Sequence, residues 1–227
     1  MDDMDVKIFE LKEKVVGDND KEAEELRGEL RKEGVFYANI MSSPGSGKTT
    51  TLLATAAQLS GRFSIGVMEA DIDSDTDAKA VAAAGFHAVQ LHTGGMCHLS
   101  ADMSRQGLAA LGGRFDVVFL ENVGNLVCPA EFDTGAHLNI VILSVPEGDD
   151  KPLKYPLMFE KADVVLINKT DAMEVFDFDM DKAETAIHRR RPGIPVFPVS
   201  AATGDGIGPW CEWLAATIRR AKEESRE

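Results

Sequence analysis

From residue 35 onwards, short apolar runs alternate with segments whose apolar residues recur at helical spacing. The runs predict seven β-strands: Val35–Met41, Ser64–Ala70, Ala88–Leu91, Val117–Glu121, Leu138–Val145, Val164–Asn168 and Val196–Val199. Most of these runs are apolar throughout, which is the pattern of a strand buried on both faces. We therefore expect residues 35–227 to form one α/β domain, with a mainly parallel sheet between two layers of helices and a final amphipathic helix from Ile207 to about Glu224.

The first 34 residues have a different pattern. Residues 5–34 are highly charged, and their few apolar side chains recur at roughly helical spacing: Val6, Phe9, Leu11, Val15, Val16, Leu26 and Leu30. Asp18-Asn19-Asp20 interrupts the run, so two short helices are expected. Residues 1–34 are therefore predicted to be an N-terminal helical arm that packs on the main domain or on a partner.

Composition excludes several functional classes. The 227 residues include 38 Asp and Glu against 24 Lys and Arg, a net charge of −14 that argues against a nucleic-acid-binding surface. No apolar run approaches the roughly 20 residues that span a bilayer, so no membrane association is expected. The N-terminus is acidic, unlike a signal peptide, and the three cysteines form no even-numbered framework. We expect a cytoplasmic protein whose thiols are free or bind a metal.

The segment Ser42–Thr49 has the sequence of a P-loop between a predicted strand and a predicted helix. Its glycines allow the backbone N–H groups to turn towards phosphate, and the helix N-terminus adds a partial positive charge. Lys48 would reach the β- and γ-phosphates, and the Thr49 hydroxyl would ligate Mg²⁺. The predicted phosphate-binding residues are Gly45, Ser46, Gly47, Lys48, Thr49 and Thr50. One departure from the usual pattern is Ser42, which replaces the first glycine.

Two later segments predict that the base is guanine. Asn168-Lys169-Thr170-Asp171 follows an apolar strand, and the Asp171 carboxylate can accept from both N–H donors on the guanine edge. Ser200-Ala201 follows the last predicted strand, where a backbone N–H can meet the guanine carbonyl. The bound nucleotide is therefore expected to be GTP or GDP.

Acidic residues at strand ends are the candidate Mg²⁺ ligands, because ligands bind at the carboxyl edge of such sheets. We expect Asp71 and Glu121 to fill this role, with Asp77 as the second choice to Asp71, and Asp73 and Asp75 to be solvated. Lys48, Thr49, Asp71 and Glu121 form the expected catalytic set. No water-positioning glutamine or cis arginine finger is identifiable, so slow GTP hydrolysis is expected.

A second group of residues has the chemistry of a transition-metal site. Cys97-His98 and Cys128 each lie in a loop after a predicted strand, and cysteine at a helix N-terminus is a better thiolate. Two thiolates and an imidazole suit Zn²⁺ or Ni²⁺ rather than Mg²⁺. Three ligands leave such a site incomplete, so water or a second chain would contribute. The alternative is that these cysteines are small buried apolar side chains, which is the interpretation kept for Cys211.

The chain resembles the HypB family of GTPases, which act in nickel insertion during [NiFe]-hydrogenase maturation. The resemblance spans roughly residues 38–214 and is carried by five segments: Ser43–Thr50, Thr93–Leu99, Glu121–Pro129, Glu147–Pro156 and Asn168–Asp171. It implies a three-layer P-loop NTPase of the SIMIBI class that dimerises on GTP. It also implies a metal site of Cys97, His98 and Cys128 shared across the dimer, and dimer-interface positions at Lys154 and Phe176. The implied partners are a HypA-type nickel chaperone and the hydrogenase large subunit.

Several features leave alternatives open. Residues 1–34 contain neither Cys nor His, which excludes an N-terminal nickel store of the kind that some family members carry. Ser100 stands where many members have an acidic residue, and Asp102 could instead support His98. Phe176 could equally be a core residue. The Cys/His set could be a structural zinc clasp, with GTP merely stabilising the protein. A urease-type chaperone similar to UreG would carry Cys-Pro-His, which is absent here, and Asn168–Asp171 argues against a small-substrate kinase.

Overall fold

A computed structural model describes residues 6–11, 19–72 and 74–225. Within these ranges eight strands form one parallel sheet: β1 (Lys7–Glu10), β2 (Phe36–Ser42), β3 (Ile65–Asp71), β4 (His87–His92), β5 (Val117–Glu121), β6 (Leu138–Ser144), β7 (Val164–Asn168) and β8 (Val196–Pro198). Their order across the sheet is β1-β4-β3-β5-β2-β6-β7-β8. All seven predicted strands are present, and the parallel α/β prediction is confirmed.

Helices connect the strands and cover both faces of the sheet. They are α1 (Asn19–Glu33), α2 (Lys48–Leu59), α3 (Thr76–Ala83), α4 (Ala101–Leu111), α5 (Cys128–Glu131), α6 (Lys151–Lys154), α7 (Pro156–Lys161), α8 (Met180–Arg190) and α9 (Ile207–Glu224). Within the described ranges, none of these helices is both long and apolar enough to cross a bilayer.

The layers follow from the alternation of side chains along the central strands. On β2, Phe36, Ala38 and Ile40 pack with α2, α3 and α9 in one apolar cluster. Tyr37 points to the opposite face, in a cluster with α1 and α4, and Met41 packs there with α7 and α8. A three-layer arrangement results, with the carboxyl ends of all strands at one edge.

The structure corrects the prediction for the first part of the N-terminal arm. Lys7–Glu10 is not helical but pairs in parallel with Val89–His92 of β4. Without this strand, the backbone N–H and C=O groups of β4 would be unpaired at the edge of the sheet. Pairing with them stabilises an extended segment more than the weak helical pattern stabilises a helix. The second expected helix is present as α1. Val15 and Val16 lie outside the described residues, and the division into an arm and a domain at residue 34 stays a prediction.

Candidate nucleotide and metal sites

The P-loop connects β2, in the middle of the sheet, to α2. Its backbone turns at Gly45 and Gly47, whose φ angles of 75° and 92° lie in the left-handed region that favours glycine. A Cβ atom on Gly47 would come within 2.6 Å of the Asn168 side-chain nitrogen. Gly47 is thus required both by the backbone conformation and by the approach of the loop after β7.

Ser42, which replaces the usual first glycine, is fully buried. Its hydroxyl accepts a hydrogen bond of 2.5 Å from Ser46 Oγ and donates one of 2.8 Å to the Ser43 carbonyl. The Ser43 hydroxyl donates to Glu147, and the other carboxylate oxygen of Glu147 accepts from the N–H and hydroxyl of Ser144. Glu147 therefore ties the P-loop to the end of β6, a contact that the sequence motif does not reveal.

Asn168 joins the phosphate loop to the predicted base site. Its Nδ2 atom donates to the Ser46 carbonyl at 2.9 Å, and its Oδ1 accepts from Ala201 N at 3.1 Å. Because Asn168 is buried and has both ends of its amide engaged, it holds these loops together. This position supports a loop-holding role rather than a direct contact with the base.

Asp171 and Ser200 also meet, as the order of the motifs predicts. Ser200 Oγ donates a hydrogen bond of 2.5 Å to Asp171 Oδ1. Lys169 adopts the left-handed conformation, with φ 62°, and its Nζ donates to the Gly45 carbonyl at 2.6 Å. The guanine-type motif thus lies beside the P-loop, although 122 residues separate Asn168 from Ser46.

Glu121, at the end of β5, contacts the start of α2. Thr49 Oγ1 donates to Glu121 Oε1 at 3.0 Å. Glu121 Oε2 is buried and meets no fixed donor among the described residues, although the Glu69 carboxyl hydrogen-bonds with Glu121 when one of the two is protonated. Burial raises the pKa of Glu121 to about 7, and Asp77 adds to this effect while the Lys48 ammonium opposes it. A carboxylate oxygen without a fixed donor beside Thr49 fits a divalent cation.

A buried carboxyl group that the sequence analysis did not select lies next to Glu121. Glu69 pairs with Glu121 in the register of β3 and β5, is 2% exposed, and has an unpartnered Oε1 atom. Burial raises its pKa well above the usual value, and the charges of Glu121 and Asp77 raise it further. Its position two residues before Asp71 on one strand was the only available signal.

The remaining predicted Mg²⁺ ligand, Asp71, ends β3, and its Oδ1 accepts from Ser74 N at 2.8 Å. Asp73 lies outside the described residues. Within the described ranges, no three His, Cys, Asp or Glu side chains converge on a metal position. A cation here would therefore need the Thr49 hydroxyl and nucleotide phosphates in addition to carboxylates.

The two predicted cysteine ligands come together, although they belong to loops after different strands. Cys97 follows β4 and Cys128 begins α5, and the Cys97 thiol raises the pKa of the Cys128 thiol through direct interaction. The raised pKa means that the second thiolate of the pair forms less readily than an isolated one, because it would lie beside the negative charge of the first. A soft cation between them would reverse that preference, since metal binding deprotonates thiols.

His98 does not form a three-residue metal-binding group with the two cysteines within the described ranges. Its ring stacks on Phe132, with centroids 3.7 Å apart and planes 15° apart. Asn125 supports the cysteine end: its Oδ1 accepts from the backbone N–H groups of Val127 and Cys128, and its Nδ2 lies 3.7 Å from Cys128 Sγ. The structure thus brings together two of the three predicted ligands.

The nucleotide and cysteine regions are in contact. A Cβ atom on Gly124, in the segment between Glu121 and Cys128, would lie 3.2 Å from atoms of Pro44 in the P-loop. The same segment begins at Glu121, which binds Thr49. A shift of the P-loop would therefore change two contacts of the segment that carries Cys128, one at Glu121 and one at Gly124.

The two predicted dimer positions are both on the surface. Lys154 ends α6 and pairs with Asp150 at 2.5 Å. Phe176 is 43% exposed, so its alternative interpretation as a core residue is wrong. Val175 and Leu153 are also exposed, at 81% and 52%. Cys211, by contrast, is fully buried in the core, as expected.

Comparisons with known proteins agree with this geometry. The family model described as "CobW/HypB/UreG, nucleotide-binding domain" matches residues 37–198. The hydrogenase maturation factor HypB of Azotobacter vinelandii is 44% identical over 97% of this chain and 76% of its own length. The crystal structure of HypB from Helicobacter pylori in complex with nickel superposes with a TM-score of 0.84 at 40% identity, covering 90% of this chain and 96% of that one. HypB from Archaeoglobus fulgidus gives 0.82 at 34% identity, covering 89% and 100%.

Proposed function

This chain belongs to the CobW/HypB/UreG family of nucleotide-binding proteins, and within it to the HypB hydrogenase maturation factors; from that premise we propose that it is a GTP-switched nickel metallochaperone. It would bind and slowly hydrolyse GTP, dimerise in the GTP state, and hold Ni²⁺ at a cysteine and histidine site before hydrogenase insertion. The observation that carries the proposal is the single segment from Glu121 to Cys128, which contacts the P-loop at one end and places a thiol beside Cys97 at the other.

The nucleotide part of the proposal rests on contacts among three distant motifs. Asn168 binds Ser46 and Ala201, while Ser200 orients the Asp171 carboxylate for the guanine edge. The phosphate would be held by the P-loop N–H groups and Lys48. When bound, Mg²⁺ would neutralise charge on the phosphates. Thr49 and Glu121 are its best-supported ligands, with Asp71 and Asp77 nearby.

The metal part rests on donor chemistry. Thiolates and imidazole prefer Ni²⁺ or Zn²⁺ over Mg²⁺, and Cys97 and Cys128 already lie side by side. His98 is adjacent in sequence to Cys97. A second chain would complete the ligand set of Cys97, His98 and Cys128. The crystal structure of the Helicobacter pylori relative contains nickel, which supports Ni²⁺ as the cargo.

The nucleotide state would affect the metal site through a movement of the segment from Glu121 to Cys128. With GTP bound, Thr49 and Glu121 would be the residues that hold the Mg²⁺ ion, and this would restrain the segment from Glu121 to Cys128. Loss of the γ-phosphate would relax Glu121 and the contact between Pro44 and Gly124, which shifts Cys128. Metal affinity would then depend on nucleotide state, and by linkage the metal would alter GTP-driven dimerisation by the same free energy. The expected acceptors are a HypA-type chaperone and the hydrogenase large subunit.

A structural zinc clasp is the second candidate, because the same two thiols would hold Zn²⁺ without any switch. A urease-type role similar to that of UreG is disfavoured by Cys128-Pro129-Ala130, which lacks the histidine of a Cys-Pro-His motif. The discriminating experiment is titration of Ni²⁺ and Zn²⁺ into the apo, GDP and GTP-analogue states, with oligomer mass measured alongside. A switch predicts different Ni²⁺ affinities in the GDP and GTP-analogue states. Equal Zn²⁺ affinity in all three states, with no Ni²⁺ response, would instead establish the clasp.

A further inference from the structure

Helix α1 makes polar contacts with both loops that carry the proposed metal ligands. The side chain of Asn19, its first residue, accepts from Ala101 N at 3.0 Å and donates to the Asp133 carbonyl at 3.0 Å. Ala101 comes three residues after His98, and Asp133 comes five residues after Cys128. One amide group therefore fixes the distance between the ends of the two loops.

Arg27, two turns further along α1, binds the second loop again. Its Nη2 atom donates to both carboxylate oxygens of Asp133, at 2.8 and 2.9 Å, and its Nε donates to the Ala136 carbonyl at 3.0 Å. Asp133 Oδ1 also accepts from Gly135 N at 2.8 Å. A guanidinium that binds a carboxylate and a backbone carbonyl at once restricts both distance and orientation.

The loop that follows α5 and contains Gly135 also packs closely on α1. Gly135 has a φ angle of 78°, and a Cβ atom there would lie 2.9 Å from the Leu26 side chain and 3.1 Å from the Ala23 carbonyl. Ala23, Leu26 and Leu30 are buried on the same helix. The apolar side chains of α1 therefore pack on the domain in addition to the polar contacts that Asn19 and Arg27 make with the loops.

The contacts of Arg27 lead directly to a proposed ligand. Asp133, which Arg27 binds, follows Phe132, and the Phe132 ring stacks on His98 at 3.7 Å. The path from α1 to the imidazole therefore passes through one ion pair, one peptide bond and one ring contact. Contacts with α1 therefore restrain the segments of both His98 and Cys128, although these two residues lie in different loops.

We propose that Asn19 and Arg27 are positioning residues that hold the loop of Cys97-His98 and the loop of Cys128 at the spacing that keeps the two thiols side by side for a metal. This inference rests on the proposed metal function. Its physical basis is preorganisation: loops that are already fixed lose less conformational entropy when a metal orders them. Residues that orient metal ligands typically change affinity by about 10–100-fold when they are replaced.

The test uses the full chain, nucleotide-free, titrated with Ni²⁺ alone. Asn19→Ala and Arg27→Gln should each weaken Ni²⁺ binding by about ten-fold and alter the thiolate-to-nickel charge-transfer absorption at saturation. A purely structural role would lower the melting temperature but leave that absorption unchanged. Arg27→Lys keeps the charge but loses the forked geometry, so it should not restore the wild-type spectrum.

Glu29→Gln is the matched control, because it removes a contact between α1 and α4 that touches neither loop, the ion pair with Arg105. It should bind Ni²⁺ as the wild type does. Should Asn19→Ala fail to fold, Phe132→Leu tests the same path from within the loop, since it keeps apolar volume but removes the ring contact with His98. Wild-type affinity and spectrum in the variants that fold would overturn the proposal. Wild-type Ni²⁺ binding by Cys128→Ser would instead overturn the metal site itself.

Discussion

Thr49 and Glu121 are joined by a hydrogen bond of 3.0 Å between the threonine hydroxyl and the carboxylate Oε1 atom. Thr49 belongs to the first turn of α2, directly behind the phosphate loop, and Glu121 is the last residue of β5. The remaining carboxylate oxygen is buried, and among the described residues it meets no fixed donor apart from the Glu69 carboxyl when that group is protonated. In the nucleotide-free protein, Glu121 can therefore either hold a proton or bind a cation, but not both at once.

The first prediction concerns the stability of the nucleotide-free protein as a function of pH. The pKa of Glu121 rises from 4.5 to about 7 on folding. Between these values the folded state holds a proton that the unfolded state has lost, so this group makes stability fall as pH rises from about 4.5 through 7. Glu121→Gln should remove the contribution of this carboxyl group, so the variant should lose less stability than wild type between pH 5 and 8. Thermal unfolding of apo wild type and variant from pH 5 to 8 measures it.

The same substitution should have the opposite effect on ligand binding. Because a neutral amide is a poorer Mg²⁺ ligand than a carboxylate, Glu121→Gln should weaken Mg²⁺-dependent binding of a GTP analogue. Glu131→Gln, at an exposed position, is the control and should change neither property. A variant that is no more stable than wild type at pH 8 would contradict the buried-carboxyl interpretation.

The second prediction tests the phosphate site. Lys48→Ala should abolish GTP hydrolysis and leave the fold intact, because Lys48 is on the ligand side of the loop and stabilises charge on the phosphates. Lys182→Ala is a suitable control, since Lys182 is a surface lysine of α8 that pairs with Asp179 just before that helix. Turnover by Lys48→Ala close to the wild-type rate, in steady-state phosphate release, would be incompatible with the P-loop assignment.

The third prediction concerns base choice. Asp171→Asn should lower GTP affinity and favour XTP, because an amide cannot accept from both guanine N–H groups. Loss of a charge-assisted pair corresponds to about 1.5–3 kcal/mol, or roughly 10–150-fold. GTP and XTP affinities are compared by competition, with Asp181→Asn as a control that removes an exposed carboxylate in the first turn of α8. Unchanged GTP affinity would show that the base is read elsewhere.

Local motifs made much of the fold and of the nucleotide site predictable. A strand such as Val164–Asn168 is buried on both faces, so its composition alone marks it. Lys7–Glu10 was not recognised, because four charged and apolar residues at an edge take their conformation from β4 rather than from their own pattern. An edge strand of this kind depends on its neighbour, which a local window does not contain.

The missed site residues share a similar cause. Glu69 meets Glu121 only through the register of β3 with β5, and Asn19 meets Ala101 only because α1 packs on α4. Their chemistry depends on distances between segments far apart in the chain. The P-loop and the Asn168–Asp171 motif were recognised because each carries its geometry within a few consecutive residues.

The fourth prediction concerns dimerisation. Phe176, Val175 and Leu153 expose apolar surface, so Phe176→Ser should reduce the doubling of mass that we expect with a non-hydrolysable GTP analogue and leave the GDP-state monomer unchanged. Ile8→Ser is a matched control, because Ile8 is 48% exposed on β1 at one end of the sheet, next to β4. Light scattering well above micromolar concentration distinguishes the two. A Phe176→Ser dimer as stable as the wild-type dimer would place the interface elsewhere.

The last prediction concerns acid sensitivity, and it arises at His137. This imidazole accepts a hydrogen bond from Tyr37 N at 3.0 Å through Nδ1, and its Nε2–H faces the Arg27 carbonyl at 3.3 Å. Burial lowers its pKa from 6.5 to about 4, and the charge of Arg31 adds to this effect. The folded state therefore binds the proton less readily than the unfolded state, so stability is lost as pH falls from about 6.5 towards 4. The loss is at most about 3 kcal/mol. Protonation would also break the hydrogen bond with Tyr37 and loosen β2 from the helix that carries Arg27.

His137→Gln should be less stable than wild type at pH 7.5, because its hydrogen bonds are lost, yet its stability should fall less between pH 6.5 and 4. Urea unfolding at a series of pH values measures both terms, and an acid slope equal to that of wild type would rule out His137 as the source.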